Sequence, residues 1–316
     1  MSPDLANRME DAWPLLSQPI EAALAPVVAD LALREAELQR QPVTPRHDAS
    51  WSVLYEEIRP LARGGMGRTI LARERLSDRV VCIKELYAHV NARMLEQEYL
   101  ALSRMSHPNI VRVLHMAPNG APPYMVTEYV EGVDIRTHAR ELPRDQVTIA
   151  LLMRPVFDAI ATLHARDIIH RDLKPENILV SQHDGQPIVI DLGLAVVDRL
   201  DHLGHFTAAA LPVFGTPTYM SPEQMTGELL TPACDIYALG VVMYELVTGH
   251  SPFPSSLQAV FTSKTNTHSG LQVPDRFWRP RWRVLGRIIR ECTDPDRTKR
   301  PTAVAVRDRL DELLDS

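Results

Sequence analysis

The chain has 316 residues, with 34 Lys+Arg against 40 Asp+Glu for a net charge of -6, and is 45% apolar and 23% charged. At roughly 150 residues per domain this excludes a single small module, and the apolar content excludes wholesale disorder. The absence of a polybasic run gives no footprint for nucleic acid, while three separated cysteines without a C-x-x-C pair exclude a disulfide framework or a thiolate zinc site.

Residues 3–40 carry Leu5, Met9, Trp13 and Leu16, then Ile20, Leu24, Val27, Leu31 and Leu38, at helical spacing, which predicts two amphipathic helices. They would pack on the body, meet a partner or lie on a surface; the acidic polar face of Glu21, Asp30, Glu35 and Glu37 ranks a membrane surface last. Pro42 and Pro45 break the periodicity, so residues 1–45 read as a helical extension and linker, and 50–316 as the body. No apolar stretch approaching the roughly 20 residues of a membrane span is evident, and the start Met1-Ser2-Pro3-Asp4 lacks the basic and apolar pattern of a secretion leader. A cytoplasmic protein without a membrane span is expected.

From Trp51 to Glu128 the runs Arg68–Arg73, Arg79–Glu85, Val111–Met116 and Tyr124–Tyr129 predict strands, with a helical stretch over Asn91–Met105 and a hairpin at Asn119-Gly120. From Asp134 onward helical stripes dominate: Leu152, Val156, Ile160 and Leu163; Leu239, Val242, Met243 and Leu246; Val284, Ile288 and Val304 to Leu314. A strand-rich lobe near 50–130 and a helical lobe near 131–316 follow, an α+β architecture.

Between two strand-like runs lies Leu61-Ala62-Arg63-Gly64-Gly65-Met66-Gly67, where glycines would let backbone N–H groups approach a polyphosphate. Alone it reads more readily as a tight turn. Lys84 then sits in the apolar run Val81-Cys82-Ile83-Lys84, where an unpaired charge would cost several kcal/mol, so a partner such as Glu98 or phosphate oxygen is required. His170-Arg171-Asp172-Leu173-Lys174-Pro175-Glu176-Asn177 packs ionic side chains between apolar runs, and Asp191-Leu192-Gly193 follows 14 residues after Asn177. A structural core does not choose such residues without functional return.

These stretches, with Gly215-Thr216-Pro217-Thr218-Tyr219-Met220-Ser221-Pro222-Glu223, Asp235 to Gly240 and Arg297 to Pro301, closely resemble the motifs of bacterial eukaryotic-like (Hanks-type) Ser/Thr protein kinases in order and spacing over roughly 53–313. The resemblance implies a two-lobed kinase fold that transfers the γ-phosphoryl group of ATP to protein Ser/Thr hydroxyls, with Mg²⁺ (or Mn²⁺) as the metal. Gly64, Gly65 and Gly67 would cover the phosphates, and Lys84, positioned by Glu98, would hold the α and β groups. Glu128 and Val130 would bind adenine through their backbone, Thr127 would lie behind it and Asp134 would reach the ribose, with Ala62, Thr69, Cys82 and Leu179 completing the nucleotide site. Asn177 and Asp191 would ligate the metal; Asp172 would accept the acceptor's proton while Lys174 stabilises the transferred charge. Thr216 would shape the acceptor site, Glu223 would pair with Arg300, and Asp235 belongs to the helix that follows.

Within this frame Ala62, Thr69, Cys82 and Leu192 depart from the usual residues; Thr69 and Cys82 together would make the pocket ceiling more polar and tighter and change nucleotide affinity by only about 1 kcal/mol. Thr207 is the single hydroxyl between Gly193 and Thr216 and so the candidate for autophosphorylation. Glu176 carries a charge suited to a basic residue near the acceptor. Asp201-His202-x-x-His205 lacks further ligands and reads as a loop rather than a metal site. The rival readings are a scaffolding pseudokinase, opposed by the complete set of ionic residues, and a small-molecule kinase, opposed by the peptide-binding landmarks.

Overall fold

The computed structural model describes residues 50–65, 67–87, 99, 105–117, 122–191, 196–197, 216–228, 230–254, 256–265, 269–274 and 282–315. The amphipathic extension, nearly all of the 91–105 stretch with Glu98, the Asn119-Gly120 turn and Thr207 lie outside them.

The first lobe is an antiparallel sheet of β1 (Tyr55–Arg63), β2 (Gly67–Glu74), β3 (Val80–Leu86), β4 (Val113–Ala117) and β5 (Tyr124–Glu128), in the order β1-β2-β3-β5-β4. Period-2 alternation divides its side chains between two faces. Ile70, Ala72, Val81, Ile83, Tyr124 and Val126 bury one face with Trp51 and Tyr55 in a small core. Trp51 closes that core and donates its indole N–H to Glu85 Oε2 at 2.8 Å, while Arg68 grips the same carboxylate through Nε at 2.9 Å. On the other face Leu86 and Met125 join the large core of the second lobe.

The second lobe is helical. Asp134 ends the short β6 (Gly132–Asp134) and caps α1 (Ile135–Arg140), and Asp145 caps α2 (Gln146–His164) by accepting from the Thr148 N–H. At 19 residues and mean hydropathy 1.4, α2 is long and apolar enough to span a bilayer, contrary to the expectation that no such stretch exists. Its Met153, Val156, Phe157, Ile160 and Leu163 have no exposure, so here the apolar run fills a protein core. Strands β7 (Ile168–Ile169), β8 (Ile178–Ser181) and β9 (Pro187–Val189) follow, with β6, β8 and β9 forming one antiparallel sheet and β10 (Val196–Val197) pairing with β7. Helices α3 (Pro222–Thr226), α4 (Ala233–Thr248), α5 (Leu257–Thr265), α6 (Arg283–Cys292) and α7 (Ala303–Leu314) complete the order. α4 is buried almost throughout, and Gly240 lets it approach α6: a Cβ there would stand 2.8 Å from Cys292 Cβ.

The lobes are stitched at Asn109, whose side-chain amide donates to Pro187 O at 2.8 Å and whose carbonyl accepts from Val189 N–H at 2.8 Å. Sequence and structure thus agree on an α+β body of two lobes.

Candidate active site

The strand register gathers the nucleotide-side candidates. Across the sheet Ala62 faces Thr69, Thr69 faces Lys84, and Leu71, Cys82 and Thr127 form a neighbouring row. Thr69, Cys82, Lys84 and Thr127 therefore share the face opposite the Ile70/Ile83/Val126 core. Gly64 and Gly67 close the β1–β2 turn through Gly64 N–H to Gly67 O at 2.9 Å. At Gly67 glycine is obligatory, since a Cβ would lie 2.0 Å from Glu85 O; at Gly64 and Gly65 nothing comes within 4 Å, which leaves room over the sheet.

At the end of β5, Glu128 donates its N–H to Arg112 O at 3.0 Å and its carbonyl accepts from the Thr127 hydroxyl at 3.1 Å. Val130 is buried, and Leu179 pairs with Asp134 between β8 and β6. Asp134, expected to reach the ribose, also starts α1. Both its oxygens are engaged in starting α1: Oδ1 accepts from Arg136 N–H and Thr137 N–H, and Oδ2 from the Thr137 hydroxyl at 2.6 Å.

Lys84 Nζ stands 2.6 Å from Asp191 Oδ1, which puts the buried-strand cation on the metal-ligand candidate across the cleft. Asp191 and Arg171 are both non-glycine residues in the left-handed region, at φ 62 and φ 70. Such conformations cost of order 1 kcal/mol each and persist where surrounding contacts hold them. For Arg171 the contacts are plain: its N–H and that of His170 both donate to Asp235 at 2.9 Å, and its carbonyl accepts from Gln224 Nε2 at 2.9 Å. Asp235 is 1% exposed and also bonds His164 Nε2 at 2.9 Å. Burial opposes its ionisation, but the His164 hydrogen bond, the charges of His164 and His170 and the His170 N–H outweigh burial and hold its carboxyl below the usual carboxylate range.

On that loop Asp172 meets Lys174 Nζ at 2.8 Å and Asn177 Nδ2 at 3.1 Å, both on Oδ2, and Asn177 also donates to Asp172 O at 2.7 Å. Asp172 is thereby aimed, the requirement for a group that must take a proton at a fixed point. With its nitrogen turned to Asp172, Asn177 presents its amide oxygen elsewhere. The Asp191 carboxylate, 45% exposed, and the Lys84 ammonium beside it are hard, charged groups of the kind that a divalent cation and a polyphosphate require.

The acceptor side is built from Thr216 to Met220, where Thr216 O accepts from Tyr219 N–H at 2.9 Å. Among the described residues the Thr216 hydroxyl makes no hydrogen bond to Asp172 or Lys174. Glu223 and Arg300 form the expected pair, two parallel bonds of 2.6 and 2.8 Å, and Arg300 also donates to Asp294 O, Ala233 O and Pro295 O. Sequence reasoning missed Lys264, which is 1% exposed. Its ammonium donates to Pro217 O, Thr218 O and Met220 O at 2.9, 2.6 and 2.6 Å, under the ring of Phe253 at 4.3 Å. Burial pushes its pKa down to about 6, against three carbonyls and an aromatic face that all favour the charged form. The available signal was its place on the α5 stripe, three and four residues after Phe261 and Val260. Among the described residues no cluster of three or more His, Cys, Asp or Glu forms a metal cage.

Comparison with known proteins agrees with this geometry. The protein kinase domain profile matches residues 55–309. The chain is 34% identical to serine/threonine-protein kinase pkn3 of Myxococcus xanthus over 258 residues, covering 77% of this chain and 46% of that protein. It is 37% identical to PrkC of Bacillus subtilis over 63% of this chain and 31% of that protein, and 36% identical to PknB of Mycolicibacterium smegmatis over 66% and 34%. It spans less than half the length of these relatives. An unbroken match over well above half its residues, with the paired Asp172–Lys174, Lys84–Asp191 and Glu223–Arg300 in place, means that this chain belongs to the protein kinase family, among the Ser/Thr kinases of the bacterial Hanks type.

Proposed function

We propose that this chain transfers the γ-phosphoryl group of ATP to Ser or Thr hydroxyls of proteins, with Mg²⁺ as the working metal. The observation that carries the reading is the Asp172 carboxylate fixed between Lys174 and Asn177. Asp172 Oδ2 would orient the acceptor hydroxyl and take its proton, while Lys174, already 2.8 Å from that oxygen, would neutralise charge on the transferred group. Lys84 would hold the α and β phosphates, with Gly64, Gly65 and Gly67 covering them through backbone N–H groups. Asp191 and the Asn177 amide oxygen would hold the divalent ion, which when bound supplies charge neutralisation between the phosphates. Thr127, Glu128 and Val130 would shape the adenine pocket. Positioning and electrostatics, rather than covalent chemistry, would do the catalysis. Autophosphorylation at Thr207, cytoplasmic residence and a regulatory or packing role for the 3–40 helices belong to the same reading.

The test is transfer from labelled ATP with Mg²⁺ to the full chain itself and to an unstructured Ser/Thr-rich protein. Wild type is expected to label both, and Asp172→Ala to lower the rate at least ~1000-fold. Transfer surviving Asp172→Ala, or transfer to a small metabolite but never to protein, overturns the reading.

A further inference from the structure

The sequence singles out Glu176 as a carboxylate suited to a basic residue beside the acceptor, yet in the structure it already has a cation. Arg136, in the first turn of α1, hydrogen-bonds Glu176 Oε1 through one amino group. The same guanidinium lies 3.8 Å from Glu245 Oε2 and 4.0 Å from Asp134 Oδ1, and its other amino group is 3.5 Å from the Tyr219 hydroxyl. Tyr219 in turn donates to Glu245 Oε2 at 2.8 Å. Glu176 lies between Lys174 and Asn177, which both touch Asp172, and Tyr219 belongs to the acceptor segment. The cluster therefore borders the place where an acceptor chain must pass.

Two of its members face solvent, Arg136 at 35% and Glu176 at 50% side-chain exposure, whereas Glu245 is only 4% exposed, behind both Arg136 and Tyr219. A cation on an incoming chain meets a guanidinium rather than an open carboxylate. Bringing a second cation there means either like-charge repulsion or displacing a charge-assisted bond.

We propose that Arg136 fills, from within the chain, the acidic subsite beside the acceptor, so that this kinase takes Ser or Thr in sequences without a neighbouring basic residue. The proposal rests on the kinase reading above and assigns Arg136 as its specificity-determining residue. Removing Arg136 would open Glu176 and Glu245 to the acceptor chain and create the basic preference that the wild type lacks.

The experiment compares two peptides, identical but for Arg or Ala two residues before the Ser, as acceptors for the full chain. The ratio of their kcat/KM values, not either rate, is the readout, and it is insensitive to a general loss of folded protein. For wild type the Arg/Ala ratio is expected at or below one. Arg136→Ala and the stem-preserving Arg136→Met are expected to raise it about tenfold, as one charge-assisted contact requires. Adding Glu176→Gln to Arg136→Ala is expected to reverse the gain. A wild-type preference for Arg of tenfold, or an unchanged ratio in both Arg136 variants, overturns the proposal. Failure of the kinase reading looks different: no label reaches either peptide. Fluorescence anisotropy of the two peptides then gives the same ratio as dissociation constants, and binding of neither peptide to any variant also overturns the proposal.

Discussion

Lys84 in the strand lobe is tied across the cleft by an ion pair to a carboxylate that is 45% exposed, whereas Asp235 in the helical lobe is 1% exposed and accepts two backbone N–H groups and a histidine. The same contrast runs through the molecule. Among the described residues the strand lobe closes a small buried core with the Trp51–Glu85–Arg68 network, while the helical lobe buries Glu223, Arg300, Lys264 and Asp235 with their donors and acceptors engaged by named partners. A charge in partial solvent contributes little to stability and can exchange partners; a fully engaged buried one fixes geometry and is costly to disturb. In the proposed reaction the Lys84–Asp191 pair is the one that would exchange partners with phosphate, whereas the loop that carries Asp172 is pinned by Asp235.

Substitutions on the two sides should separate activity from stability. Lys84→Met is expected to lower the rate of phosphate transfer by roughly 10²–10³-fold with a change in Tm of no more than about 1 °C, since exposed pairs contribute so little. A large fall in Tm would show that the strand lobe is as tightly determined as the helical one. Arg300→Ala is expected to do the reverse first, removing one member of a buried pair at a cost of about 3–5 kcal/mol and lowering Tm by roughly 10 °C in calorimetry. An unchanged Tm would mean that Glu223 finds another donor.

Asp235 gives the smallest effect, and it depends on pH. Its folded-state pKa lies below the ordinary value of 3.8, so its stabilisation is fully present above that value and is lost as pH falls through the lower folded value. Asp235→Asn is expected to lower stability by about 2 kcal/mol at pH 7 and to flatten the acid limb of a Tm against pH curve below pH 4. Parallel acid limbs for the two proteins would assign that limb to other carboxylates.

The strands β2, β3 and β5 were legible as short apolar runs bounded by polar residues, and the helices α2, α4 and α7 because their apolar residues recur three and four positions apart. β1 was not delimited, since Glu56, Glu57, Arg59 and Arg63 face water and carry no alternation. Asp172, Lys174, Asn177 and Asp191 stood out because charge between apolar runs has few structural uses, and the structure brings all four into contact with one another or with Lys84. What stayed hidden was partnership over distance. Nothing in the chain announces that Glu176 meets a residue 40 positions earlier, or that Asp134 caps a helix. Glu98 and Thr207 lie outside the described residues, as do the 3–40 helices.

Position 264 carries one more consequence. The Lys264 nitrogen lies within hydrogen-bond distance of three carbonyls of one short acceptor-segment stretch, and its charged form, which those carbonyls favour against burial, carries one proton for each. A guanidinium is flat and spreads its donors in a plane, so it cannot reach the same three points from the same stem, and no neutral side chain carries three donors on one atom. Exchange of Lys264 for arginine, ordinarily counted among the mildest of substitutions, would therefore loosen the acceptor segment as surely as removal of the charge.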